Sequence, residues 1–428
     1  MVDESMPSQE ILSPEWHTDR SRYMTGFECA WKRLLKYHAF GTGLTPEIEA
    51  LPLTVGISVH KTLEKMLNLR VLNPEGQHFD PAVVDSLLQG GWTIPASPQS
   101  PDFLLDARDI SIAIPHAYAR IIMPWLNDNF TIFQVEKELS WRHNTRLKRT
   151  PTSYHSEYDE ESTQEERLEQ LGRLTELRRL IFNSRPDFIA TDKSTNKLTV
   201  HDFKTASSFQ ESRELMTYAD NVQMMINSFQ VKEDNNLQYY PDYYVHILLK
   251  GNNWSPSPFV HAYHRLGAPP MQREDWQPKY WLGPAVPGGK KRSLGKAYSK
   301  QRVSDLRPIS EWVWEMDPAI AAQQIIILGP FNVISEKVSQ FMRGLPTNEE
   351  EWFRRLDEVK DWTQWADSDF QMRLDRHFPR TFNCYTYGQR CSMYNLCFKG
   401  PGWDKPFDHG FVERQPHHVQ EPKGELIR

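Results

Sequence analysis

The sequence predicts an α/β fold, a mixed central sheet flanked by helices and carrying added helical segments. Three observations lead there. Short apolar or β-branched runs bounded by turn residues recur at 131–141, 188–200, 243–250 and 259–265. Amphipathic stretches with three-to-four-residue spacing lie between and around them, at 25–40, from about Ser58 onward, at 213–230 and at 349–367. With 428 residues, 14 Trp and 21 Phe, the chain can bury a large core as one elaborated domain or two.

Residues 1–20 are polar and read as a loose arm. Thr25 and Glu28 form a capping box ahead of a helix through Ala30, Trp31, Leu34, Leu35 and Tyr37 that stops at Gly41, placing Cys29 in its first turn. From Ser58 a second helix presents Val59, Leu63, Met66 and Leu67 on one stripe, while His60 and Glu64, four apart, share another face. Helices follow at Pro81–Leu88 and about Asp102–Asn127, the latter interrupted at Pro115, and then a strand over Thr131–Trp141. Residues 142–180 are strongly charged, with Glu/Arg spacing but little apolar face, and read as an exposed insertion. A helix near Arg213–Gln230 carries Tyr218 and Gln223. Residues 266–308, rich in Pro, Gly and Lys, read as a long basic loop in which Lys290, Lys291 and Arg292 are candidate nucleic-acid contacts. Asp317-Pro318 opens a helix to Leu328, which resumes after Gly329-Pro330 and ends at Gly344. Another helix spans Glu349–Asp367, with Trp352, Leu356, Val359 and Trp362 as its buried stripe, and from about Asp404 to 428 the tail is polar.

Net charge is −6, which excludes a uniformly basic nucleic-acid coat; any polyanion site must be a local groove. No apolar run approaches membrane-spanning length, and Met1-Val2-Asp3-Glu4 is too acidic to begin a signal peptide, so an intracellular, cytoplasmic protein without membrane association is expected. The stretch from Gly283 to Lys291 imitates a phosphate loop but has no Ser or Thr after Lys290 and no strand–helix context, so no nucleotide cofactor is expected.

The most informative stretch is Ser184–Ser207. Phe188-Ile189-Ala190 and Leu198-Thr199-Val200 flank the turn residues 192–196, which makes a hairpin. Alternation puts Asp202 and Lys204 on one face with Phe203 on the other, and brings Asp187 to the same end. Two carboxylates and an ammonium at one sheet edge suit a divalent cation and a positioned water. The four cysteines are Cys29, Cys384, Cys391 and Cys397; so few thiols, three of them close together, read as metal ligands rather than disulfides.

Taken together, Gly56-x-x-x-His60, Pro186-Asp187, Asp202-x-Lys204 and one early cysteine with three late ones resemble the PD-(D/E)XK nucleases. The likeness is to the RecB-type branch, with the CRISPR-associated iron–sulfur exonucleases and AddB-type recombination nucleases. It covers roughly residues 21–400 and implies a restriction-endonuclease type of sheet, a nuclease domain over 21–403. It implies that His60, Asp187 and Asp202 ligate Mg²⁺ or Mn²⁺ with the Phe203 carbonyl, that Lys204 is the catalytic lysine, and that Gln223 assists with Tyr218 nearby. Glu136 matches a strand carboxylate, with Glu138 as its competitor. The cysteines would hold a structural [4Fe–4S] cluster, though four thiolates equally suit zinc. Three departures stand out: the late cysteines are spaced C-x6-C-x5-C rather than C-x2-C-x5-C, Ser184 stands where the family has Gly, and Asn227 where a Tyr follows the Gln. The expected function is a metal-dependent DNase acting on DNA ends or single strands, in recombination, repair or phage or CRISPR-type processing with protein partners. The alternative from another class is a non-catalytic DNA-binding or assembly subunit that keeps the fold and holds zinc.

Overall fold

The computed structural model describes residues 15–39, 42–47, 51–73, 79–88, 101–148, 175–206, 209, 221–249, 309–315, 318–322, 325–360, 372, 374–381, 385–386, 389–398 and 406–415. In chain order the elements begin with β1 (Glu15–Asp19), α1 (Arg20–Glu28), α2 (Ala30–Tyr37), β2 (Leu44–Pro46), α3 (Leu51–Leu72), α4 (Pro81–Leu88) and α5 (Pro101–Ala117). A π-turn (Tyr118–Ile122) leads into α6 (Met123–Asn129), β3 (Phe130–Val135), β4 (Leu139–Lys148), β5 (Thr175–Ser184), β6 (Phe188–Asp192) and β7 (Leu198–Ala206). Then come α7 (Val222–Asp234), β8 (Asp242–Leu249), α8 (Ile309–Glu315), α9 (Pro318–Ala322), β9 (Ile325–Phe331) and α10 (Ser335–Lys360). The last elements are β10 (Tyr385–Thr386), β11 (Gln389–Arg390), α11 (Tyr394–Phe398), a 3₁₀ turn (Pro406–His409) and β12 (Phe411–Glu413). Mixed sheets flanked by helices make this an α/β protein. The single domain expected over 21–403 divides into two compact units: Met1–Glu47 with Leu139–Ser184 and Glu336–Arg428, and Ile48–Glu138 with Arg185–Ser335.

The second unit is built on a five-stranded sheet of order β3-β6-β7-β8-β9. Every neighbouring pair is antiparallel except β7–β8, whose parallel pairing needs a crossover, and α7 lies within that connection. The hairpin read from the sequence is present, with Phe188 opposite His201 and Thr191 opposite Leu198. Asp192 closes its turn by accepting from the amides of Ser194 and Thr195, an Asx arrangement that explains the Asp at that point. On α3 the stripe Val59, Leu63, Met66 and Leu67 is fully buried, each side chain contributing roughly 2 kcal/mol of apolar burial. The helix reaches seven residues farther toward the N-terminus than Ser58. Pro115 sits inside α5 without ending it. The widening comes instead at the π-turn, where Pro124 has no N–H for the Arg120 carbonyl and Met123 bonds back to Tyr118.

Several expectations in this unit change. The strand expected over Thr131–Trp141 breaks in two, because Glu136 takes a positive φ of 49° and ends the ladder. The helix expected to reach Leu328 stops at Ala322, and Ile325–Phe331 pairs with β8 instead, its β-branched run favouring extended backbone. The strand expected at 259–265 and the basic loop at 266–308 lie outside the described residues.

In the first unit, β1 runs parallel to β5, which pairs antiparallel with β4. The loose arm expected over 1–20 is therefore a strand from Glu15, with Trp16 to Asp19 buried and Trp16 stacked on Phe353 at 4.7 Å. The ends of the charged insertion expected at 142–180 are likewise strands, and Leu180, Ile181 and Phe182 are core residues. The cap of α1 is Asp19, not Thr25, whose hydroxyl donates to the Ser21 carbonyl from within the helix. Gly344 does not stop α10, since it faces open space and the helix continues to Lys360. Within the polar tail from Asp404, Phe411–Glu413 pairs with Leu44–Pro46. Arg33 forms a two-pronged ion pair with Glu349 at 2.7 and 2.8 Å and lies over the Trp352 ring, with both partners buried.

Candidate active site

The second unit brings five of the sequence-derived site residues together at one end of its sheet. Asp187 precedes β6, Asp202 and Lys204 lie on β7, His60 is on α3, and Gln223 opens α7. Asn221 caps α7, its side chain accepting from the Gln223 amide at 2.8 Å, and the cap aims Gln223 at the strand. Gln223 Nε2 donates to Asp202 Oδ1 at 2.7 Å, and Lys204 Nζ pairs with Asp202 Oδ2. His60 Nδ1 stands 3.3 Å from Asp187 Oδ1, and the Phe203 amide donates to Asp187 Oδ2. The His60 ring meets Phe203 edge-on at 5.7 Å. Gly56 is what allows this approach: a Cβ there would stand 3.1 Å from Thr205 Oγ1, next to Lys204 on β7.

Exposure separates the roles. The His60 and Lys204 side chains are 31% and 32% exposed, whereas those of Asp187 and Asp202 are 10% and 4% exposed, so ligand access is past His60 and Lys204 onto buried carboxylates. Burial pushes the Asp202 carboxyl up to about 6 against the pull of Lys204, with the Asp187 charge adding to the rise. Burial would raise Asp187 too, but the His60 hydrogen bond and charge, Lys204 and the Phe203 amide together hold it well below the usual carboxylate range.

Glu136 belongs to the same cluster. Its amide donates to the Asp187 carbonyl at 2.9 Å, and its carboxylate pairs with Arg185 at 2.8 Å. Burial, then the charge and hydrogen bond of Asp187, push its carboxyl up to about 8, with Glu64 adding to the rise. The hydrogen bond between the two carboxyls favours a proton on Glu136. A positive φ on a non-glycine residue costs about 1–2 kcal/mol, and here it turns Glu136 into the cluster. Glu138, the competing carboxylate, is exposed. Ser184 and Asn227, the two departures from the family pattern, are buried, and Asn227 donates to the Tyr243 hydroxyl at 3.3 Å.

Among the described residues no group of three or more His, Cys, Asp or Glu side chains is arranged to hold a metal ion. At the hairpin the carboxylate oxygens are already engaged, by Lys204 and Gln223 on Asp202 and by His60 and the Phe203 amide on Asp187. The donor set of two carboxylates and an imidazole nevertheless matches a hard divalent cation. Gln223 Oε1 is buried with no hydrogen-bond partner among the described residues, an acceptor still to be satisfied.

Cys29, Cys391 and Cys397 are half-buried and reduced in the first unit, while Cys384 lies outside the described residues, as do Tyr218, Lys290, Lys291 and Arg292. Cys29 is the cap between α1 and α2 rather than a first-turn residue, its Sγ accepting from the Lys32 amide at 3.5 Å. Burial lowers the Lys32 ammonium, but the Glu28 hydrogen bond and charge, with the Cys391 charge, raise it more. The Thr381 hydroxyl donates to the Glu28 carbonyl at 2.6 Å and holds the late segment against the α1–α2 junction.

No protein-family model matches the chain, and no curated protein matches it. No described helix is long and apolar enough to cross a membrane.

The sequence reading missed three residues beneath this site. Tyr118, His201 and His246 are fully buried, and the histidines are joined ring to ring at 3.0 Å. The signal was there: His201 and Phe203 alternate with Asp202 and Lys204, so a polar ring had to lie on the inward face of β7.

Proposed function

We propose that this chain is a metal-dependent deoxyribonuclease of restriction-endonuclease type, with its active site at the junction of α3, β6, β7 and α7. One observation carries the reading. His60 pairs with Asp187, and Lys204 and Gln223 pair with Asp202; these two groups, drawn from α3, the start of β6, β7 and α7, lie at one end of the sheet and act on each other through charge. These are the residues to which the resemblance to PD-(D/E)XK nucleases gives active-site roles.

His60, Asp187, Asp202 and the Phe203 carbonyl would hold the ion. A bound Mg²⁺ or Mn²⁺ supplies Lewis acidity at the scissile phosphate and lowers the pKa of a water. The protein's own residues do the rest. His60 and the Phe203 amide fix the two oxygens of Asp187. Gln223 holds Asp202 through Nε2 and offers Oε1 as the acceptor that orients the attacking water. Lys204 Nζ stands where it can exchange a proton with that water and offset charge on the pentacoordinate phosphate. Its ammonium pairs with Asp202, so a metal at Asp202 would compete with that pair.

In the first unit, Cys29, Cys384, Cys391 and Cys397 would bind a structural [4Fe–4S] cluster, or zinc with the same four sulfurs. Cys29 Sγ accepts from the Lys32 amide and the Lys32 ammonium feels the Cys391 charge, which supports a common neighbourhood for two of the four ligands. The group would tie the two ends of the chain together within that unit.

The test is incubation of purified protein with end-labelled single- and double-stranded DNA, in Mn²⁺, in Mg²⁺ and in chelator. Cleavage should require metal and act on ends or single strands. Lys204→Ala should lose at least about 10²-fold and Asp202→Asn should lose cleavage altogether. Wild-type cleavage in either variant would refute the assignment. DNA binding without cleavage under every metal condition would instead make the chain a non-catalytic DNA-binding subunit.

A further inference from the structure

Beneath the hairpin runs a buried hydrogen-bond chain whose direction can be worked out atom by atom. The Thr199 hydroxyl lies 3.0 Å from the Ala190 carbonyl and 2.9 Å from His201 Nε2. Its single hydrogen must go to the carbonyl, which can only accept, so His201 Nε2–H donates to Thr199. A neutral His201 then accepts at Nδ1, where His246 Nε2 stands at 3.0 Å and must donate. His246 in turn accepts at Nδ1 from the Tyr118 hydroxyl at 3.0 Å. Four donors run one way, from the π-turn through β8 and β7 to β6. A second proton on His201 would set a donor against a donor, and one on His246 would turn the Tyr118 bond around, so the one-way chain exists only with both rings neutral. Burial agrees, holding His201 well below its ordinary value and His246 down to about 3.

The chain touches the backbone on which both carboxylates ride. His201 is the residue before Asp202, and its ring stacks on Phe188, the residue after Asp187, at 4.3 Å. The Tyr118 ring meets Phe203 edge-on at 5.5 Å, on the residue whose amide holds Asp187. We propose that Tyr118, His246, His201 and Thr199 are positioning residues of the nuclease site. Their one-way hydrogen-bond chain fixes the β6–β7 register and thereby the spacing of Asp187 and Asp202. None of the four touches substrate; each acts through Phe188, Phe203 or the β7 backbone. This inference rests on the nuclease reading above.

Two substitutions at Thr199 separate hydrogen bonding from packing. Thr199→Val keeps the shape and strand preference but removes the hydroxyl, leaving His201 Nε2–H unpaired. Thr199→Ser keeps the hydroxyl and gives up a methyl group. Tyr118→Phe removes the donor at the other end while retaining the ring against Phe203. Metal-dependent DNA cleavage is measured at a temperature where circular dichroism shows all variants folded, together with imidazole nitrogen shifts of the wild type. The expected result is Nε2–H tautomers for both histidines at neutral pH. Thr199→Val and Tyr118→Phe should lose roughly 10-fold or more in kcat and Mn²⁺ affinity, the scale seen for groups that orient metal ligands, while KM for DNA holds. Thr199→Ser should stay within about threefold of wild type. Wild-type kcat in Tyr118→Phe, or a Thr199→Val that outperforms Thr199→Ser, overturns the proposal, as does an Nδ1–H or doubly protonated imidazole. A wild type that shows the expected tautomers yet neither binds Mn²⁺ nor cuts DNA takes down the nuclease reading, and this inference with it.

Discussion

Glu136 offers the sharpest physical test of the carboxylate cluster, because its behaviour in chelator follows from the structure without reference to catalysis. Its carboxyl rises from 4.5 to about 8, chiefly through burial and then through the charge and hydrogen bond of Asp187. A raised carboxyl means that the folded state holds a proton the unfolded chain has released. The stabilisation is therefore complete below about 4.5 and is lost as pH climbs toward 8. At about 1.4 kcal/mol per pH unit, the whole interval corresponds to at most about 5 kcal/mol. The part falling between pH 6 and 8 is about 2–3 kcal/mol, and Asp202, which rises only from 3.8 to about 6, adds little there. Asp187 is ionised in folded and unfolded chains alike across that range and adds no slope. Glu136→Gln replaces the protonated acid with a neutral amide that can still donate to Asp187. Wild type in chelator should thus lose about 2–3 kcal/mol relative to the variant from pH 6 to 8, and the two should converge near pH 5, while the buried neutral His201 and His246 add the same opposite slope to both. Unfolding midpoints in urea at pH 5, 6, 7 and 8 measure this. Parallel profiles for the two proteins between pH 6 and 8 would show that Glu136 carries no proton there, and the assignment of a proton to Glu136 would be wrong.

Three other outcomes follow from single contacts. Arg33→Ala strands a buried Glu349 and should cost about 3–5 kcal/mol in urea unfolding, whereas Arg33→Met with Glu349→Leu should recover most of it; a single-variant loss below about 1 kcal/mol contradicts the buried pair. Gly56→Ala sets up to about 1 kcal/mol of helix propensity against a few tenths of an ångström of movement at Thr205, and should be close to neutral, while Gly56→Val should lower both the melting temperature and cleavage. A Gly56→Val protein with unchanged cleavage would mean that α3 does not need its close approach to β7. Anaerobically purified wild type should be brown with comparable iron and sulfide, and Cys29→Ser or Cys391→Ser should bleach it and reduce solubility; colourless protein with stoichiometric zinc moves the assignment to zinc.

The central hairpin was legible because its two controlling features are local. Period-two alternation assigns faces, and an Asp-led turn sets the register without reference to distant residues. His60 was legible for the same reason, its face fixed by the helical stripe around it. What escaped was non-local. Glu15–Asp19 is a strand only because β5 lies beside it, some 160 residues later, and Phe411–Glu413 is one only because β2 does. Ile325-Ile326-Ile327-Leu328 has no period at all, so the proline at 318 and its helical start signal were extended through it. The break at Glu136 is a single backbone angle on a residue that gives no warning of it.

Strand β7 shows why the visible and hidden halves of this site are tied together. Asp202 and Lys204 point one way; His201 and Phe203 point the other, into the core. A slip of one residue would exchange the two sets, pushing an ion pair among buried aromatics and turning the imidazole chain toward solvent. An all-apolar inward face would resist that slip by burial alone, yet would tolerate small shifts along the strand, since apolar contacts are not directional. Hydrogen bonds at about 3 Å with fixed donors and acceptors do not tolerate them. On the nuclease reading, the polar residues on the hidden face would therefore do what aliphatic ones could not: directional hydrogen bonds would hold the strand in the one position that lets Asp187 and Asp202 share a ligand.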